Sequence, residues 1–200
     1  IDLKGRYAYL NQPIIAKWNL ARFAESLLPL IDGDKNKAIE NAKKAIDSFD
    51  KIYKENWLEM MNKKLGLLGI KNDDENLIND LLLIMEENKL DYTNTFCLLM
   101  DENLQKNNLL KNKNFTDWYK KWKNRVERDG DSFKESLKIM RSSNPLVIPR
   151  NHKVEEVLDE ASRNNLRPLH DFLKILEKPY ENQIKTNEYQ FPATPGKNRY

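Results

Sequence analysis

Residues 5–28 read GRYAYLNQPIIAKWNLARFAESLL, an aromatic lead-in followed by a proline and then an apolar pattern. Pro13 suits the first helical position, where its missing N–H costs nothing. Ile14, Ile15, Trp18, Phe23, Leu27 and Leu28 follow at mostly helical spacing, and the run from Pro29 to Gly33 should close the element. The same period continues downstream. One long helix is expected from Asp34 to about Leu65, with Ile39, Ala42, Ile46, Phe49, Tyr53, Met60 and Leu65 as its buried stripe, broken by Gly66 and Gly69. Further helices are expected after caps at Asn72 or Asp73, Asp91, Thr116, Ser132 and Asn151, and the last carries Leu169, Phe172, Leu173 and Leu176. Asp129-Gly130 should stop the Thr116 helix, and Asn144-Pro145 the next one, because a residue before proline disfavours helix. Only Arg6–Leu10 reads as a short strand. The expectation is an all-α bundle of seven or eight helices over residues 1–180, with an irregular, extended tail over residues 181–200.

Composition narrows the class. Of the 200 residues, 40% are hydrophobic, enough for a core, and 32% are charged. A net charge of +3 is low for a nucleic-acid binder, whose bases usually gather on one face. No apolar run approaches the roughly 20 residues that span a bilayer, so no membrane partner is expected. Cys97 is the single cysteine, which rules out an internal disulfide and fits a reducing, cytoplasmic setting.

The motifs that would carry chemistry fail one by one. Six widely separated glycines cannot form a phosphate-cradling loop. Asp32-Gly-Asp34-Lys-Asn36 begins like a calcium loop, but Lys37 takes the glycine position and Lys43 the place of the bidentate glutamate, so it reads as a helix cap. His152 and His170 lack metal-ligand spacing, and Cys97 reads as a small buried hydrophobe. Asp73-Asp74 and Glu86-Glu87 read as solvated charge at helix ends. Trp118, Trp122 and Arg125 fall on one helical face while Lys120, Lys121 and Lys123 spread elsewhere, the pattern of a buried stripe rather than a base-stacking surface. Arg6, Arg22, Arg125, Arg141 and Arg150 admit two readings: bidentate holders of a loop or carboxylate, or inter-helix ion pairs and helix caps. No catalytic, cofactor-binding or metal-ligating residue is assigned.

Three ordered motifs carry a family resemblance. Gly5, Arg6, Tyr7, Tyr9, Asn11, Gln12 and Pro13, then Trp18, Asn19, Leu20 and Arg22, resemble the segment after the metal-binding loop of the SelO-type protein adenylyltransferases, kinase-like proteins of the YdiU group. Trp118, Trp122 and Arg125, ahead of Met140, Asn144, Pro145, Ile148, Arg150, Asn151 and His152, are similar to a second family stretch. Leu176 followed by Pro179 and Tyr180 resembles a third. Residues 32–113 carry no motif of this kind.

The resemblance implies an enzyme that transfers AMP from ATP to protein Ser, Thr or Tyr hydroxyls, with the nucleotide reversed relative to ordinary kinases. It further implies that the ATP and Mg2+ sites lie upstream, in a kinase-like domain of the same chain. The present residues would then be scaffolding of the lower C-lobe, in a bacterial cytoplasmic protein whose partners are its protein substrates. The alternative is a free-standing α-helical interaction module that binds through its tryptophan-bearing helices.

Overall fold

The computed structural model describes residues 5, 6, 8–69, 71–101, 104, 107–127, 133–183 and 186–193. The regular elements among them are all helical, as the periodicity requires. The α-helices are α1 (Gln12–Ile31), α2 (Lys35–Asp47), α3 (Phe49–Lys64), α4 (Asp74–Glu87), α5 (Tyr92–Leu98), α6 (Lys113–Glu127), α7 (Phe133–Ser143), α8 (Asn151–Ser162), α9 (Arg167–Leu176) and α10 (Thr186–Gln190). The chain divides into two compact units, Ile1–Glu59 and Met60–Tyr200, the division falling within α3.

In the first unit, α1 packs against α2. The lead-in is not a strand: Gly5 has φ +64°, and Tyr9–Asn11 forms a 3-10 turn that runs into α1. α1 carries Pro29 in its last turn and ends at the extended Asp32, within the Pro29–Gly33 run expected to close it. The apolar residues of α1 lie on more than one side, and α2, with the start of α3 that Lys17 reaches through Asp50, covers only part of them. Ile15 is 9% exposed, whereas Ile14 is 72% and Phe23 61% exposed. Asp34 caps α2 by accepting the N–H groups of Asn36 and Lys37, which is the capped start expected there. The single helix expected to Leu65 is interrupted at Ser48, whose hydroxyl donates back to the Ala45 carbonyl at 2.7 Å. Such back-bonding competes with the helical ladder. The expected stripe holds in part: Leu65 is fully buried and Ile39, Ala42, Ile46 and Phe49 are half-buried, but Tyr53 and Met60 are exposed and Ala38 and Met61 are buried instead.

The second unit is built around α6, whose Phe115, Trp118, Trp122 and Val126 are buried in a row at helical spacing. The two indole rings stack at 6.0 Å with an interplanar angle of 10°. The Trp118 Nε1–H donates to the Leu77 carbonyl at 2.8 Å and the Trp122 Nε1–H to the Leu65 carbonyl at 2.9 Å. Both indoles are therefore withdrawn from any base-stacking role, and Lys120, Lys121 and Lys123 pair with Asp117, Asp80 and Glu127 on the exposed sides. The helix begins at Lys113 and not at Thr116, because Asn112 caps it by accepting the Phe115 N–H. The caps expected at Ser132 and the stop at Asp129-Gly130 lie outside the described residues.

A second apolar cluster joins Val147, Val157, Phe172, Ile175 and Tyr189. Tyr189 stacks on Phe172 at 5.0 Å, which draws Thr186–Gln190 into a helix in the stretch expected to be extended tail. The interruption at Ser48 and this α10 account for the helices beyond the eight expected.

Three helices end in the same way. Past α3, the Gly66 N–H bonds the Lys63 carbonyl and the Leu67 N–H bonds the Asn62 carbonyl. Lys89 and Leu90 do the same past α4, and Asn164 and Asn165 past α8. The pattern requires a left-handed residue at its centre. Gly66 (φ +66°), Lys89 (φ +51°) and Asn164 (φ +64°) occupy those positions. Gly66 also lies close to α7: a Cβ there would come within 2.8 Å of the Ser136 carbonyl oxygen. Gly66→Ala should therefore cost about 2–4 kcal/mol, from backbone strain plus overpacking. Lys89→Gly, which relieves a left-handed lysine, should stabilise by about 0.5–1 kcal/mol. Urea denaturation of both variants checks the opposite signs.

Candidate functional site

The arginines singled out by sequence divide sharply in the fold. Arg125 extends from α6 to grip Asp74 with both arms of its fork, Nε to Oδ1 at 2.7 Å and Nη2 to Oδ2 at 3.0 Å. The same Nη2 donates to the carbonyls of Leu68 and Gly69. Asp74 is thus not solvated surface charge: its side chain is 3% exposed, and its Oδ2 also accepts the Lys71 N–H. That bond, and not a side-chain bond from Asn72 or Asp73, secures the start of α4.

Arg150 makes the second fork, to Asp91, at 2.7 and 2.9 Å. It also reaches the Asn94 side-chain oxygen at 3.3 Å, and its Nε is buried without a partner. Asp91 meanwhile caps α5 through the Asn94 N–H, as expected, whereas the α8 cap position falls to Arg150 and not to Asn151. Burial works to raise the Asp91 pKa, but the Arg150 hydrogen bonds and charge, with the Asn94 N–H, outweigh it and leave the carboxyl below its ordinary value. The other arginines are peripheral. Arg22 pairs with Glu25 at 2.7 Å, and Arg6 and Arg22 both lie over the Trp18 ring.

Cys97 is half-buried, and its thiol donates to the Pro145 carbonyl at 3.4 Å. Burial pushes its pKa up to about 11, so at neutral pH it is a protonated thiol and not a nucleophile. Lys64 lies nearby, its ammonium donating to Asn144 Oδ1 at 3.0 Å and sitting 4.8 Å from the centre of the Phe96 ring; burial lowers its pKa. Asn144 answers by donating to the Lys64 carbonyl at 2.8 Å. His152 is half-buried in the first turn of α8 and His170 is exposed on α9. Among the described residues, no three of His, Cys, Asp and Glu gather where they could hold a metal ion. The carboxylates of Asp74 and Asp91 are both committed to guanidinium groups.

Sequence reasoning did not find a cleft of about 570 Å³ in the second unit. α5, the end of α7, the turn after α9 and α10 surround it, and Arg141 stands on its rim. Asn94 braces the wall, its side-chain amide donating to the Gln190 carbonyl at 3.1 Å. The cleft exists because α10 folds back, and no local signal in a proline-bearing tail announces that.

Residues 1–177 match the family model described as protein adenylyltransferase SelO. Among proteins named protein nucleotidyltransferase YdiU, one from Pelagibacter ubique is 44% identical over 200 residues, covering 100% of this chain and 41% of the relative. One from Clostridium botulinum (strain Loch Maree) is 50% identical over 181 residues, covering 90% of this chain and 37% of the relative. A third, from Nitrosococcus oceani, is 44% identical over 196 residues, covering 98% of this chain and 40% of the relative. The chain belongs to the SelO family of protein adenylyltransferases. It spans about 40% of the length of the curated relatives it matches.

The Asp91–Arg150 pair yields a pH signature. The folded-state pKa of Asp91 lies below its unfolded value, so its contribution is complete above about pH 4 and is lost as pH falls through the depressed value. Asp91→Asn keeps an acceptor for the Asn94 N–H but strands Arg150. It should cost about 2 kcal/mol at neutral pH, between the values for exposed and fully buried pairs. Urea titrations across the acid range should show the two proteins converging as Asp91 becomes protonated.

Proposed function

We propose that the chain is the helical, structural part of an enzyme that transfers AMP from ATP to Ser, Thr or Tyr hydroxyls of proteins in the bacterial cytoplasm. The ATP and Mg2+ sites belong to the remainder of that enzyme, a kinase-like domain upstream in the same chain. The observation that carries this reading is the asymmetry of coverage: nearly the whole of this chain aligns with relatives named as protein nucleotidyltransferases, yet accounts for only 41% of one of them. Those relatives come from bacteria, which supports the setting.

Two physical features support the scaffold role. The buried charged groups that could have served chemistry hold helices together instead: Arg125 and Asp74 join α6 to α4, and Arg150 and Asp91 join the start of α8 to the start of α5. In the first unit, α1 and its lead-in turn leave Leu10, Ile14, Phe23 and Leu30 between 61% and 86% exposed. A helix that is apolar on more than one side is ordinarily covered on each of them. A longer chain supplies the cover, which weighs against a free-standing interaction module.

In the whole enzyme the substrate hydroxyl attacks the α-phosphorus, AMP becomes esterified to the protein, and pyrophosphate leaves. The isolated 200 residues should bind no Mg-ATP in a calorimetric titration, while the longer enzyme should label protein hydroxyls from α-labelled and not γ-labelled ATP. Tight Mg-ATP binding by this chain alone, or label from the γ-position, would overturn the reading.

A further inference from the structure

The cleft beside α10 is furnished for a ligand that the internal contacts of the fold do not supply. Asn182, Asn187 and Gln190 line it together with Arg141 and Tyr180. None of these five side chains has a hydrogen-bond or ion-pair partner among the described residues. Below them lies an apolar floor that includes half-buried Leu98 and Leu146. The volume of about 570 Å³ is within the range of ordinary ligand sites.

The chemistry of that lining selects one ligand class. A side-chain amide offers both donors and an acceptor, and each peptide unit presents one of each. Three uncommitted amides around an apolar floor therefore match an extended polypeptide, whose backbone bonds to the rim while a side chain enters the floor. A nucleotide fits poorly: its phosphates need several cations, and the cleft offers one guanidinium with the Asp101 carboxylate on the same lining. Arg141 instead suits a single carboxylate.

The geometry points to a docking cleft for an extended segment of the protein substrate, with an acidic residue against Arg141 and an apolar one between Leu98 and Leu146. This rests on the reading above that the enzyme modifies proteins, and it adds where the protein is held. On that reading the transfer chemistry belongs to the remainder of the enzyme, and the cleft contributes to affinity and selection of the substrate.

The test probes the 200-residue chain with an array of random peptides, then measures the selected peptides in solution by fluorescence anisotropy. Peptides combining an acidic and an apolar residue should be enriched. Arg141→Glu should weaken them about tenfold or more, the effect of losing a charge-assisted bond, and should shift selection toward basic peptides. Asn187→Ala should weaken both sets. Circular dichroism matching the parent excludes misfolding, since Arg141 and Asn187 are both exposed. No enrichment, or enriched peptides that bind both variants like the parent, would overturn the cleft assignment. In the longer enzyme, Arg141→Glu should raise KM for a protein substrate and leave kcat unchanged. Transfer of AMP with an unaltered KM would sink the cleft and spare the enzyme reading. Peptide binding without AMP transfer by the longer enzyme would do the reverse.

Discussion

An indole N–H can donate and never accept, so a tryptophan buried on a helix face must find a carbonyl or leave a polar group stranded at a cost of about 1–3 kcal/mol. α6 meets that requirement twice, at Leu65 just past α3 and at Leu77 inside α4. Three residues beyond Trp122, Arg125 binds the Leu68 and Gly69 carbonyls in the connection between the same two helices and Asp74 at the start of α4. One stripe of α6 thus satisfies the backbone of the α3–α4 link along much of its length. Sliding α6 by a turn would break several of these bonds at once, which fixes its register against both neighbours.

That constraint explains which parts of the fold could be read in advance. Trp118, Trp122 and Arg125 declare their shared face by spacing alone, and Gly66 declares the end of α3, because both signals are local. The errors came where distant residues decide the outcome. Asp74 looked like solvated charge because its partner Arg125 lies 51 residues away. Arg150 meets Asp91 across 59 residues, and Lys64 meets Asn144 across 80. α10 was missed because Tyr189 gains its helical setting by stacking on Phe172, not from its own neighbours. The cleft beside α10 is not legible in the sequence for the same reason, since α10 is one of its walls.

The family motifs acquire physical roles in this light. Trp118, Trp122 and Arg125 organise the α3–α4 link, Asn144 closes a reciprocal pair with Lys64, and Arg150 secures the start of α5 through Asp91. The turn at Pro179 accepts backbone N–H groups from Leu146 and Val147, joining the second motif to the third. These are the duties of a frame. They accord with the proposed division of labour, in which nucleotide chemistry belongs to the remainder of a longer enzyme and this part supports it and holds substrate.

Hydrogen exchange at the indole nitrogens, followed by NMR, tests the organising role of α6 most directly. The Nε1 protons of Trp118 and Trp122 should exchange only through unfolding of the second unit, and far more slowly than that of the half-exposed Trp18. Exchange of all three on the same rapid timescale would contradict the account, because it would mean that the carbonyls of Leu65 and Leu77 are not held.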